Sequence, residues 1–278
     1  MWKKSNSFMT RLRHPFSSTE SDVHSSAIDV RSKCQHFRIL VIGRANAGKT
    51  TLLKKVCMSV EDPEIFGPDG KRGIHDIENQ LIFKSNRGFI FHDSRGFESG
   101  SIEETNKVKE FIARRAATNS LQQQLHAICD TNRPLLKADE DFLDTDIRGK
   151  VPVIVIFTKF DGLATRAFQE LRENQYSRSE AHRRMEQHAE KLLTTEFIEP
   201  LKSRNFPPSA YLHLANMHEE STNCNELIEK TAKALTDDNL RLLFVSVQQN
   251  NVDVSVKYAV QEYVEVCLNF GKSVQNHE

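Results

Sequence analysis

Gly43-Arg44-Ala45-Asn46-Ala47-Gly48-Lys49-Thr50 carries the most specific chemistry in this 278-residue chain. Glycines at both ends let the backbone curl until successive N–H groups converge on one anion. Lys49 supplies an ammonium for terminal phosphate oxygens, and the Thr50 hydroxyl is a Mg²⁺ ligand by type. From Thr51 onward the sequence reads as a helix, whose N-terminus adds the positive end of its dipole. Gly43 to Thr51 is therefore the candidate phosphate cradle. The plain alternative is a strand–helix turn that holds nothing.

Two further segments add to it. In Asp93-Ser94-Arg95-Gly96 a carboxylate ends an apolar run, where it can hold Mg²⁺ through the metal's water shell. Gly96 carries no side chain, so its N–H can approach a γ-phosphate closely. Thr50 and Asp93 are the candidate metal ligands. In Thr158-Lys159-Phe160-Asp161, Asp161 can accept two hydrogen bonds from guanine N1–H and N2–H₂, a donor pair that adenine lacks. A site built for that pair penalises the base without it. The stem of Lys159 can lie over the base plane. Each tetrapeptide alone is common in ordinary turns, so their order along the chain is what gives them weight.

These residues need elements to hold them. Phe37–Ile42 reads as a buried strand before the glycine loop, and Thr51–Val56 as the helix after it. Gln80–Lys84 and Phe89–His92 flank Asn86-Arg87-Gly88, the pattern of a β-hairpin with its turn at Asn/Gly. Val108, Phe111, Ile112 and Ala116 recur at helical spacing. Leu125–Cys129 reads as a short strand, Leu135–Ile147 as a helix, and Val151–Phe157 as a β-branched buried strand. Ala167–Leu201 is long and charged, with a capping box at Ser177–Glu180. Ala210–Leu214 reads as the last strand, and Asn225–Leu235 and Asn239–Phe270 as closing helices. The alternation predicts a three-layer α/β fold, with a mostly parallel central sheet, one antiparallel hairpin and extra helices.

Bulk composition excludes several classes. Lys+Arg and Asp+Glu both number 38, so no net charge points to nucleic acid. The five cysteines form no C-x-x-C pair, which argues against structural zinc or a disulfide framework and for a reduced, cytoplasmic setting. No apolar run reaches the length of a membrane span. Residues 1–34 read as a basic, Ser-rich disordered tail. Residues 35–235 read as the main domain, with a helical insertion at 167–205, and residues 236–278 as a helical extension.

The ordered set G-x-x-x-x-G-K-T, D-x-x-G, T-K-x-D and a late strand resembles the G domain of Ras-like P-loop GTPases. Within them the chain resembles the Era-like, ribosome-binding type and, more distantly, septin and immunity-associated GTPases. It looks particularly like a fungal group of G-domain proteins, through stretches such as Ile42–Thr50, His92–Glu98, Phe157–Asp161 and Leu242–Gln249. The resemblance spans about Gln35 to Phe270. It implies binding of GTP or GDP with Mg²⁺ and slow hydrolysis. Lys49, Thr50, Asp93, Gly96, Thr158, Lys159 and Asp161 match its motifs. The base-capping contact, a backbone N–H to guanine O6, falls in the resemblance to Leu214-Ala215-Asn216, at Ala215.

The chain also departs from that pattern. From Val60 to Lys84 it has no Ser or Thr to serve as the switch-loop metal ligand, and His75 is the distinctive polar residue there. Phe97 stands where many relatives place a water-orienting glutamine. The strand at Leu125–Cys129 is short and runs into Asp130-Thr131-Asn132-Arg133-Pro134, which predicts a weakened sheet centre. His92 and Glu98 lie close to the motif without an assignable role. Three readings follow: a guanine-nucleotide switch, a nucleotide-stabilised interaction module with negligible turnover, or an ATP-dependent enzyme that leaves T-K-x-D unexplained. A homodimer or a protein effector as partner stays open, the charged stretch being one surface for it.

Overall fold

The computed structural model describes residues 29–44, 46–68, 76–94, 102–132 and 143–248. Strand β1 (Phe37–Ile42) is buried at every position, as its unbroken apolar run requires in a strand covered on both faces. Helix α1 (Lys49–Val56) follows the glycine loop. Next come β2 (Glu64–Phe66), β3 (Gln80–Phe83), β4 (Asn86–Asp93), α2 (Ile102–Ala116), β5 (Ala127–Asn132) and β6 (Val153–Thr158). Helices α3 (Phe160–Glu173) and α4 (Arg178–Leu192) lead through a π-helical turn, Leu193–Ile198, into α5 (Glu199–Lys202). Strand β7 (Ala210–Leu214), α6 (Asn225–Ala234) and α7 (Asp238–Ser246) complete the described chain. The sheet order is β2-β3-β4-β1-β5-β6-β7. Pairing is parallel from β4 through β7 and antiparallel for β2–β3 and β3–β4.

Side-chain alternation on β1 assigns the two layers. Phe37, Ile39 and Val41 share a core with Leu52 and Leu53 of α1, Leu227 and Ile228 of α6, and Phe244 of α7. Leu40 and Ile42 face Phe111 and Ile112 of α2, together with Ala167 of α3 and Ala189 of α4. Helices on both faces of a mainly parallel sheet make the expected three-layer α/β fold. Phe37 anchors the first layer, meeting Phe244 at 4.8 Å and Phe89 at 6.3 Å between ring centroids, both edge to face. Each such fully buried ring contributes roughly 2–3 kcal/mol.

Several expectations change. The hairpin turns at Lys84-Ser85, and Asn86 and Gly88 lie inside β4. Their role is packing: Asn86 Nδ2 donates to the Val247 carbonyl at 3.0 Å, and a Cβ on Gly88 would stand 2.8 Å from Val247 Cβ. Strand β5 is not curtailed at Cys129. It continues through Asp130 and Thr131, both buried, so the sheet centre is not shortened. The run looks polar in sequence, yet these side chains face the interior. Thr131 Oγ1, for example, donates to the Ile42 carbonyl at 3.0 Å. The stretch expected as a helix over Leu135–Ile147 lies partly outside the described residues, and residues 144–147 are not helical.

The charged stretch, read as a helical insertion over 167–205, holds several helices. Helix α3 begins already at Phe160, and Ser177 caps α4 by accepting from the Glu180 N–H at 3.2 Å. Glu180 turns its carboxylate to Arg183 and Arg184, so only half of the capping box is seen. Upstream, residues 29–33, read from sequence as tail, form a helical turn that buries Val30. The closing helix expected over Asn239–Phe270 stops at Ser246, and 249–278 lie outside the described residues, with Val260, Val264 and Cys267 among them. Among the described residues, no helix is long and apolar enough to cross a membrane.

Candidate functional site

The glycine loop links β1 to α1 at the carboxyl end of the parallel strands, the end at which open α/β sheets bind ligands. Gly43 has φ +142°, and a Cβ there would lie 2.2 Å from Thr131 Oγ1 and 2.6 Å from the Thr131 carbonyl oxygen. Only glycine lets β1 leave the sheet so close to β5. Gly48, the N-cap of α1, has φ +84°, and among the described residues a Cβ on it would meet nothing within 4 Å. Glycine is needed there for its backbone conformation. Asn46 also takes positive φ, at 59°. Ala47 is buried, while Arg44 is half-buried and Thr50 and Thr51 are exposed.

Lys49 folds back over the loop. Its Nζ donates to the Gly43 carbonyl at 2.8 Å and to the Arg44 carbonyl at 2.9 Å, and stands 3.8 Å from Asp93 Oδ1. Strand register explains the approach: Asp93 pairs with Val41 in the parallel β1–β4 ladder. It therefore projects onto the face that α1 covers, as Phe91 does. His92 points the other way. It is buried against Phe111 of α2, ring centroids 4.9 Å apart, and takes no part in this site.

The T-K-F-D segment straddles the end of β6 and the start of α3. Thr158 is buried, and its Oγ1 has no hydrogen-bond partner among the described residues. Lys159 is exposed in a left-handed conformation, φ 59° and ψ 41°. Asp161 is exposed in the first turn of α3, where a carboxylate complements the helix dipole. Ala215 is half-buried just beyond β7, and Asn216 after it has φ 51°. The Asn216 carbonyl accepts from the Glu219 N–H and from Thr222 Oγ1, both at 2.9 Å, which closes that turn.

Fold topology thus brings the Gly43–Thr51 loop and Asp93 together and ends β6 and β7 side by side, Thr158 paired with Leu214. Ala45, His75, Gly96, Phe97 and Glu98 lie outside the described residues. Sequence reading missed two features. Lys55, on the outer end of α1, donates to the carbonyls of Glu219 and Glu220 and so ties the turn after β7 to α1. His213 stacks on Phe160, with ring centroids 3.9 Å apart and planes at 30°. Neither carries a motif signal, because each contact joins segments far apart in the chain.

Cysteine chemistry finds no support. Cys57, Cys129 and Cys224 are buried, and burial pushes their thiols up to about 12, far from the thiolate a nucleophile needs. Among the described residues no His/Cys/Asp/Glu group is arranged to hold a metal without further ligands.

Residues 38–159 match the protein-family model described as 50S ribosome-binding GTPase. The chain is also similar to a protein of Kosmotoga olearia named "Probable GTP-binding protein EngB", 29% identical over 122 residues. That match covers 44% of this chain, and the chain spans 62% of that protein's length. Over this stretch the chain is therefore similar to GTPases of the ribosome-binding type. The family match ends at Lys159, so Asp161, His213 and Ala215 lie beyond it.

Proposed function

We propose that this chain is a guanine-nucleotide-binding protein that takes GTP with Mg²⁺ at the Gly43–Thr51 loop and hydrolyses it slowly to GDP as a switch. The observation that carries the reading is the Lys49 ammonium, held on its own loop's carbonyls 3.8 Å from Asp93 at the N-terminus of α1. The residues present fit the nucleotide. The N–H groups from Asn46 to Thr51 and the Lys49 ammonium would hold the phosphates. Thr50 and Asp93 would hold the metal, whose bound charge would offset that of the β- and γ-phosphate oxygens. Asp161 would select guanine by accepting from N1–H and N2–H₂, with Lys159 over the base and the Ala215 N–H at O6. The buried Thr158 hydroxyl at this end, without a partner among the described residues, also suits a polar ligand. The four buried, unpaired cysteines of the described residues suit a reducing compartment, the cytoplasm in this reading.

Thermal unfolding with GTP, GDP, ATP or no nucleotide, each with Mg²⁺, tests the proposal. Guanine nucleotides at 100 times their dissociation constant should add about 2.7 kcal/mol of stability, and ATP should add none. Asp161→Asn should move the preference toward xanthine nucleotides. A folded protein whose melting temperature ignores both GTP and GDP would sink the reading.

One pair of observations favours a second reading, a nucleotide-stabilised interaction module with negligible turnover. Phe97 follows D-x-x-G and cannot orient a water, and no Ser or Thr lies between Val60 and Lys84. Single-turnover phosphate release separates the two: the switch releases phosphate slowly, and the module does not.

A further inference from the structure

We propose that His213 is a positioning residue for base selection, its ring stacked on Phe160 so that the Thr158–Asp161 turn and the Leu214–Asn216 turn are held as one unit. The inference rests on the guanine-nucleotide reading above. Phe160 is the first residue of α3 and is only 6% exposed. Its near-parallel stack on His213 bridges β7 to the start of that helix. Strand pairing sets His213 beside Phe157 and Leu214 beside Thr158. Tyr211, His213 and Ala215 therefore alternate onto one face of the sheet, the face that α3 covers.

The stack matters because the turn it holds is strained. Lys159 keeps a left-handed backbone without being glycine, a conformation that persists only where neighbouring structure over-determines it. On its upstream side β6 fixes Thr158 through the ladder to β7. On its downstream side stand the Gly162 N–H to Lys159 carbonyl bond, at 2.9 Å, and the Phe160 ring. Asp161 is exposed, so its direction is set by the helix start that Phe160 anchors. Across the stack, the same His213 ring lies on the strand that delivers Ala215. One aromatic contact thereby fixes the spacing between a carboxylate for the base edge and a backbone N–H for its carbonyl. Small displacements of such groups have large effects on binding geometry.

The test uses the full chain and two readouts: the release rate of a fluorescent GDP analogue, and the affinity ratio of GDP to inosine diphosphate, which lacks the 2-amino group. His213→Gln should speed release about tenfold, the upper range for one aromatic stack, and should pull the ratio toward one. His213→Phe keeps a stacking ring and should behave as wild type. Phe160→Leu removes the opposite ring and should reproduce the His213→Gln result, which keeps the test open if one variant fails to fold. A His213→Gln or Phe160→Leu protein with wild-type release and ratio overturns the inference, as does a His213→Phe protein as impaired as His213→Gln. A wild type that binds no GDP overturns the guanine reading and this inference together; a wild type that binds it while the variants match it overturns the inference alone.

Discussion

Two polar clusters sit in this sheet, and they are built on opposite principles. Around the P-loop, Lys49 and Asp93 are 3.8 Å apart with side chains 10% and 20% exposed, and Thr158 Oγ1 has no partner among the described residues. Near the amino ends of the strands, Arg38 is buried under the end of α2. Its Nη1 donates to His92 Nε2 at 2.7 Å and its Nη2 to the Gln122 carbonyl at 2.9 Å. Its backbone N–H donates to His126 Nδ1 at 2.9 Å. Because Arg38 can only donate, both imidazoles must accept, and their tautomers are fixed. His92 then donates from Nδ1 to the Ile77 carbonyl and His126 from Nε2 to the Leu121 carbonyl, at 2.7 and 2.8 Å. The first cluster sits at the carboxyl ends of the strands, the end at which open α/β sheets bind ligands. The second turns its groups inward and ties β1, β4 and the loop before β5 into one piece.

The same substitution in both clusters should expose that difference most strongly. Arg38→Met leaves His92 Nε2 buried without a donor, and should cost about 3 kcal/mol in urea unfolding. Lys49→Met removes two part-buried bonds to its own loop's carbonyls, and should cost about 1 kcal/mol, the net worth of a typical hydrogen bond. Nucleotide binding should respond in reverse, with Lys49→Met weakening GDP affinity about 100-fold, the worth of one charge-assisted contact of up to roughly 3 kcal/mol. Equal stability losses at the two positions would contradict the contrast.

Acid should act on the closed cluster next. Burial first, and Arg38 second, hold His92 down at about 3, and burial holds His126 down at about 4. Both lie below the ordinary value near 6.5, so on acidification the unfolded chain takes up these protons before the folded one. Their contribution is therefore complete above about pH 6.5 and is lost as the pH falls toward 3–4. Between pH 7 and pH 5 the loss should reach about 2 kcal/mol per imidazole. His92→Gln keeps an acceptor for Arg38 and cannot titrate, so it should cut the pH-dependent loss by about half. An unchanged slope in that variant would show that His92 protonates as freely folded as unfolded.

Legibility from sequence follows the same division. The turn from β1 through the glycine loop into α1 is readable because local spacing dictates what a short loop can do, and β1 and β6 because an apolar β-branched run has few alternatives. Arg38, His92 and His126 were unreadable as a unit, since nothing local links residues 38, 92 and 126. The extent of β5 was misread for a related reason. Asp130 and Thr131 look like the end of a strand, and only the neighbouring β1 and β6 make their burial tolerable. Likewise Asn86 and Gly88 carry a turn signature, yet the end of α7 claims them for packing.

The finest form of the contrast compares two threonines in the adjacent strands β5 and β6. Thr131 Oγ1 donates to the Ile42 carbonyl at 3.0 Å, whereas Thr158 Oγ1, also buried, has no partner among the described residues. Valine has nearly the shape of threonine, so Thr→Val at each position isolates the hydroxyl. Thr131→Val should cost about 1 kcal/mol, the net worth of one buried hydrogen bond. Thr158→Val removes a polar atom that gains nothing from its surroundings, and should be neutral or stabilising by up to about 1 kcal/mol. Unfolding of the two variants without nucleotide measures both. A Thr158→Val loss matching that of Thr131→Val would mean the hydroxyl is already satisfied, and the carboxyl end of the sheet would then be as closed as the Arg38 end.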